Sequence, residues 1–246
     1  MDGLNYRLNL AYDGTAYHGW QKQNNAVAVS DVVEQGIEKI FKHNIDLVGC
    51  SRTDAGVHAI NYVCNFKSDL EIPVDRIPLA INTKLPADIR VKSAEVVDED
   101  FNSRFSAHSK TYLYKTCCSK ILNPFLRNYA YHFPYEIDMD KIIKATKHFV
   151  GTHDFAGFMT QGSSQHTTVR TVNFLNAVKK DDVIEFEINA NAYLYNMVRI
   201  ISGTLLYVGI GKISPDDIPD IIKSCDRTRG GITAEPQGLY LKEILY

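Results

Sequence analysis

Apolar residues recur along the chain with two periods, and the switch between them marks the elements. Tyr6, Leu8, Leu10 and Tyr12 alternate with Arg7, Asn9 and Ala11, which predicts a half-buried strand ended by Asp13-Gly14. Val33, Ile37, Ile40 and Phe41 then follow helical spacing. Ser30 or Asp31 is the expected cap, and Glu34 stands three residues after Asp31 in capping-box fashion. Ile45 to Cys50 is expected as a strand. Beyond it Ile60, Tyr62, Cys64 and Phe66 alternate with Asn61, Val63 and Asn65 in another. A helix near Val74 to Thr83, between Pro73 and Pro86, and a strand from Ile89 to Val97 complete the series. Strand, helix, strand, strand, helix, strand is the split βαβ, ferredoxin-like order.

A second series begins with a strand at Lys110 to Cys118, followed by an aromatic-rich loop, Asn123 to Tyr135. Asp138 caps a predicted helix carrying Ile142, Ile143, Thr146 and Phe149, which Gly151 stops. Val169 to Val178 and Val183 to Ala190 read as a hairpin around Lys179-Lys180-Asp181-Asp182. Tyr195 to Val208 is a long apolar helix, Asp216 to Lys223 a shorter one, and Leu239 to Leu245 a last strand. This repeats the first series in topology, with one extra helix. The expected fold is α+β: two ferredoxin-like (βαββαβ) halves, 1–101 and 102–246, packed with a largely antiparallel sheet and a cleft between them. Such a junction is the default site.

Composition changes this picture little. The 246 residues are 45% hydrophobic and 23% charged, ordinary for a globular chain with ample core. No apolar run reaches the length of a membrane span and the N-terminus lacks a signal-peptide layout, so the cytoplasm is the expected compartment. The five cysteines include no CxxC, and the eight histidines no HExxH or HxxxH pairing, which argues against a disulfide frame and a bound metal. A net charge of −2 means that polyanion binding would need a local basic surface. There is no Walker loop, no GxGxxG and no RNP1 pattern.

Between the predicted strands lies Gly49-Cys50-Ser51-Arg52-Thr53-Asp54-Ala55-Gly56-Val57-His58-Ala59. Asp54 beside Arg52 fits a carboxylate held ionised for chemistry, and fits equally a tight surface turn with a local ion pair. Tyr112 and Tyr114 share one face of their strand, where either could hold a base or pack on a helix. Arg199 sits within an apolar helix, where a charge is costly unless paired. Asp54 is the economical partner, and snorkelling to solvent the alternative. Arg90, Arg104, Lys110, Lys115, Arg127, Arg170, Arg227 and Arg229 form a set from which a phosphate backbone could be gripped. His18 and His58 fit hydrogen-bonded structural histidines ahead of catalytic ones, and the Thr15–Gln23 segment, with the single Trp20, fits a packed loop covering a sheet edge ahead of a direct ligand contact.

The chain resembles the TruA family of tRNA pseudouridine synthases along nearly its whole length. The resemblance rests on Tyr12-Asp13-Gly14 with Gly19-Trp20-Gln21-Lys22-Gln23, and on Ser51-Arg52-Thr53-Asp54-Ala55-Gly56-Val57-His58-Ala59. Phe105-Ser106-Ala107, Tyr112-Leu113-Tyr114, Val169-Arg170-Thr171, Asn191-Ala192, Met197-Val198-Arg199 and Gly238-Leu239-Tyr240-Leu241 follow in order. One departure is Asp31, where the family usually has glutamine. The resemblance implies isomerisation of uridines at tRNA positions 38, 39 and 40, in the anticodon stem-loop, to pseudouridine. It makes Asp54 the nucleophile, has Tyr112 contact the target base, and sets Arg52 and Arg199 beside Asp54. It further implies a homodimer with tRNA spanning both subunits, and no cofactor.

Overall fold

The computed structural model describes residues 3–160 and 167–246. Among them, no helix is long and apolar enough to cross a membrane. The fold is mixed α+β with mostly antiparallel strand pairing, and it divides into two compact units, Met1–His108 with Tyr240–Tyr246, and Ser109–Leu239. The last strand therefore groups with the first unit, although it follows the second series in sequence.

In the first unit the strands are β1 (Leu4–Tyr12), β2 (Val48–Gly49), β3 (His58–Ser68), β4 (Ile89–Val97) and β10 (Leu239–Leu245). β1 lies between β4 and β3 and is antiparallel to both, with Leu8 opposite Cys64 and Ala94. β2 pairs with β3 at Asn65 and Cys64, and β10 runs parallel to β3, with Tyr240 opposite His58. The alternation of β1 does what its period predicts: Tyr6, Leu8, Leu10 and Tyr12 are buried. Helix α1 (Val29–Phe41) lays Val33, Ile37 and Phe41 over them, and the Phe41 ring stands 5.5 Å from Tyr6 and 5.0 Å from Phe66. Helix α2 (Ile77–Asn82) and the turn after it pack beside α1 at Gly36, where a Cβ would meet Ile81 at 3.8 Å and Leu85 at 2.8 Å.

Three of the boundary differences in this unit have a local hydrogen-bonding cause. Helix α1 begins earlier than a Ser30 or Asp31 cap requires, because Val29 and Ser30 donate their N–H groups to the Gly19 and Trp20 carbonyls. Those orphan donors need no side-chain cap, and the Asp31 carboxylate instead accepts from the Ala28 N–H at 3.2 Å. The strand expected over Ile45 to Cys50 shrinks to β2, since the Ile45 N–H goes to Glu38 Oε1 rather than into a ladder. Helix α2 starts at Ile77 because Val74 to Arg76 form a turn, closed from the Arg76 N–H to the Pro73 carbonyl at 2.8 Å.

The second unit holds β5 (Ser109–Cys117), β6 (Tyr131–His132), β7 (Gly151–Asp154), β8 (Val169–Lys180) and β9 (Val183–Ala190). Their order is β5-β9-β8-β7, with β6 parallel to β5. The β8–β9 hairpin turns at Asp181, which adopts φ +52°. Helix α3 (Met139–Phe149) is capped by Asp138, whose carboxylate accepts from the Lys141 N–H, as its sequence predicts. Helix α4 (Met197–Gly209) is buried on nearly every side, and α5 (Ile218–Ser224) is short. β6 and β7, of two and four residues, are too brief to leave a period.

Candidate active site

The Gly49–His58 loop links β2 to β3 and is held from beneath by the Asp13–Trp20 segment. Three backbone hydrogen bonds set its path: Trp20 N–H to the Thr53 carbonyl at 3.2 Å, Gly56 N–H to the Tyr17 carbonyl at 3.1 Å, and Val57 N–H to the Asp54 carbonyl at 3.2 Å. The buried Thr53 hydroxyl meets the Tyr12 hydroxyl at 2.8 Å. Trp20 stacks on Tyr62 with ring centroids 3.9 Å apart, and both lie against Gly49. The Tyr62 hydroxyl donates to the Ser51 carbonyl and accepts from the Ser51 N–H. Burial raises the Tyr62 phenol well above its ordinary pKa, so it keeps the proton it donates. Trp20 is thus part of the loop's floor, and its segment is packed, as the reading of it as a packed loop expects. Asp54 sits half-buried on this frame, between buried Thr53 and exposed Ala55, while Arg52 is exposed.

Two glycines make the close approach possible. A Cβ at Gly14 would lie 1.9 Å from the Val57 carbonyl oxygen, and one at Gly19, whose φ is +82°, would lie 2.1 Å from the Thr53 carbonyl oxygen. Gly56, at φ +76°, makes the turn after Asp54.

His58 is buried, stacks on Tyr240 at 4.7 Å, and its Nδ1 accepts from the Gly14 N–H at 3.0 Å. Accepting there requires the Nδ1 lone pair and places the ring proton on Nε2. Asp13 Oδ1 lies 3.2 Å from the same nitrogen. This buried, hydrogen-bonded setting is the one that the structural reading of His58 expects. His58→Phe keeps the ring stack but leaves the buried Gly14 N–H without that acceptor. It is expected to lower stability by about 1–3 kcal/mol, read by thermal unfolding.

In the second unit Tyr112 is buried on β5, opposite Ile188, and meets Tyr193 edge-on at 4.9 Å. Tyr193 is itself fixed by its hydroxyl, whose one proton is shared between the Lys110 and Ile188 carbonyls, at 2.9 Å each. Tyr114 is fully buried and donates to the Glu235 carbonyl at 2.7 Å, so its place is in the core. Arg199, on the first turn of α4, does not snorkel. Its Nε donates to the Ala234 carbonyl and its Nη1 to Asn196 Oδ1, both at 2.7 Å. Burial raises the Tyr114 phenol well above its ordinary pKa, and the Arg199 charge opposes that rise. Sequence reasoning missed Tyr12, Thr53, Tyr62 and Asn196 as supports. Only Asn196, three residues before Arg199, carries a local signal.

Among the described residues, no group of three or more His, Cys, Asp or Glu side chains could hold a metal ion. The first unit by itself presents a carboxylate on a braced loop, and the second by itself holds a buried tyrosine and a fixed guanidinium.

A family model for tRNA pseudouridine synthase matches residues 10–106 and 145–246. The tRNA pseudouridine synthase A of Thermoanaerobacter sp. (strain X514) is 49% identical, with 98% of this chain and 99% of that protein covered. Its counterpart in Acetivibrio thermocellus is 46% identical over the same shares, and tRNA pseudouridine synthase A 2 of Clostridium tetani is 45% identical over 98% of each chain. In solved structures the resemblance is loose. A chain in an H/ACA RNP bound to a substrate RNA containing 2'-deoxyuridine is 15% identical with a TM-score of 0.38, over 80% of this chain and 44% of that one. The sequence matches place the protein among RNA-modifying isomerases. It belongs to the TruA family of tRNA pseudouridine synthases.

Proposed function

We propose that this enzyme converts uridines 38, 39 and 40 of the tRNA anticodon stem-loop to pseudouridine, with Asp54 as the nucleophile on a flipped-out base. The observation that carries the reading is the Asp54 loop itself. Its backbone is fixed on both sides of the carboxylate by bonds from Trp20 and to Tyr17, and the carboxylate is only half-buried. That is how a group is pre-positioned for a substrate that must leave its stack to be reached.

The isomerisation breaks the N1–C1′ bond, turns the uracil and joins C5 to C1′; C5 gives up its proton and N1 takes one up, so that the product is an isomer of the substrate. The covalent bond from Asp54 forms and is broken again, so the enzyme returns unchanged. Tyr112 contacts the loose uracil and limits its escape. Arg52 and Arg199 favour the ionised form of Asp54. In this reading each half is ferredoxin-like, the active species is a homodimer in the cytoplasm with one tRNA spanning both copies, and no cofactor takes part.

The test is a turnover assay on unmodified tRNA with the modified positions mapped. Pseudouridine confined to 38–40 supports the reading. Modification elsewhere overturns the site assignment, and tRNA binding without any pseudouridine would make the protein an RNA-binding module.

Tyr112 gives a separate prediction. Tyr112→Phe keeps the edge contact with Tyr193, so the fold should hold, and any loss of rate reports the hydroxyl. Tyr112→Ala should lower kcat/KM about 10- to 100-fold, in line with one stacking contact of about 1–3 kcal/mol. Unchanged kinetics in both variants would remove Tyr112 from the site.

A further inference from the structure

Asn196 stands at the N-terminus of α4, where asparagine ordinarily turns its side chain onto the helix's own first N–H groups. Here it makes no such cap and adopts φ +62°, ψ +9°, the left-handed region. Its amide is spent elsewhere. Oδ1 accepts from Arg199 Nη1 at 2.7 Å, and Nδ2 donates to the Thr160 hydroxyl at 2.9 Å. Thr160 is tied in again by its N–H, which donates to the Tyr195 carbonyl at 3.2 Å. On the other side of the guanidinium, Arg199 Nε donates to the Ala234 carbonyl, and the Ala234 N–H returns a bond to the Arg199 carbonyl at 3.2 Å. The segment carrying Ala234 lies close on α4 because Gly203 leaves room, a Cβ there meeting the Ile232 carbonyl oxygen at 2.0 Å.

We propose that Asn196 is a positioning residue for the isomerisation: its neutral amide, held by the left-handed backbone and by Thr160, fixes the Arg199 guanidinium without neutralising its charge. The inference rests on the reading of Arg199 as an electrostatic partner of the reaction. From the left-handed position just before α4 the Asn196 amide reaches the guanidinium with an oxygen while adding no charge. A carboxylate at that point would orient Arg199 equally well and satisfy it as a counter-ion, removing the positive potential the reaction uses. The left-handed conformation suits asparagine, aspartate and glycine, and strains most other residues.

The test uses those tolerated residues in the full-length enzyme on unmodified tRNA. Asn196→Gly keeps the backbone conformation and deletes the amide. It is expected to lower kcat about tenfold, to leave KM for tRNA within about twofold, and to raise the acid limb of the kcat–pH profile. Asn196→Asp keeps the reach and adds the charge, and is expected to lose more kcat than the glycine variant. Wild-type kcat and pH profile in Asn196→Gly would overturn the proposal and leave Asn196 a helix start. Full activity in Asn196→Asp would overturn the claim that neutrality matters. Arg199→Gln separates the two levels. If it too has wild-type kcat and pH profile, the reading of Arg199 itself fails. If it is slow while Asn196→Gly is not, only the role of Asn196 falls.

Discussion

Asp54→Asn is expected to lower pseudouridine formation by about 10⁴-fold or more, with tRNA binding retained. The amide has nearly the shape of the carboxylate, and the loop around it is set by main-chain bonds from Trp20, Gly56 and Val57 that the substitution leaves in place. The fold should therefore hold, with a cooperative thermal unfolding transition as in wild type. What changes is the chemistry. An amide is too weak a nucleophile to form the covalent bond and a poor base at neutral pH, so no slower version of the same route remains. A single-turnover assay alongside a tRNA-binding titration checks this. Turnover within tenfold of wild type would take the nucleophile's role from Asp54.

The periodic parts of the first unit were legible residue by residue, because burial on one face writes the period directly. β4 and β10 run over the predicted Ile89–Val97 and Leu239–Leu245, and β3 extends its prediction by two residues at each end. What the period could not carry is how loops are held. The loop that presents Asp54 depends on Tyr12, Trp20 and Tyr62, which are remote in sequence and read individually as core aromatics. The start of α1 is satisfied by carbonyls of the Gly19–Trp20 segment, so a search for a capping side chain finds a plausible one in the wrong place. Asp31, the departure from the family pattern, proves to serve its own helix by accepting from the Ala28 N–H. Arg199 was recognisable as a charge needing a partner, but its carbonyl partner lies 35 residues away, and the left-handed backbone of Asn196 leaves no periodic trace.

Gly19→Ala should be the most disruptive single change beneath the site, costing about 3 kcal/mol of stability and at least tenfold in kcat. Two effects combine. A Cβ at φ +82° carries about 1–2 kcal/mol of local strain, and here it would also stand 2.1 Å from the Thr53 carbonyl oxygen. That oxygen is the acceptor for the Trp20 N–H and belongs to the residue before Asp54. The chain can relieve the clash only by separating the two loops, which breaks this bond and moves the carboxylate. Displacements of about 1 Å at a reacting group cost on the order of 10²-fold in rate. For a chain of this size the stability loss corresponds to a fall in Tm of about 6–12 °C. Gly211→Ala is the matched control, since Gly211 has a similar φ of +75° but open space where the Cβ would go. It should lose only the conformational part, about 1 kcal/mol, with activity unchanged. If Gly19→Ala and Gly211→Ala behaved alike in both Tm and turnover, the loop contact would not be what places Asp54, and the source of its position would have to lie elsewhere in the fold.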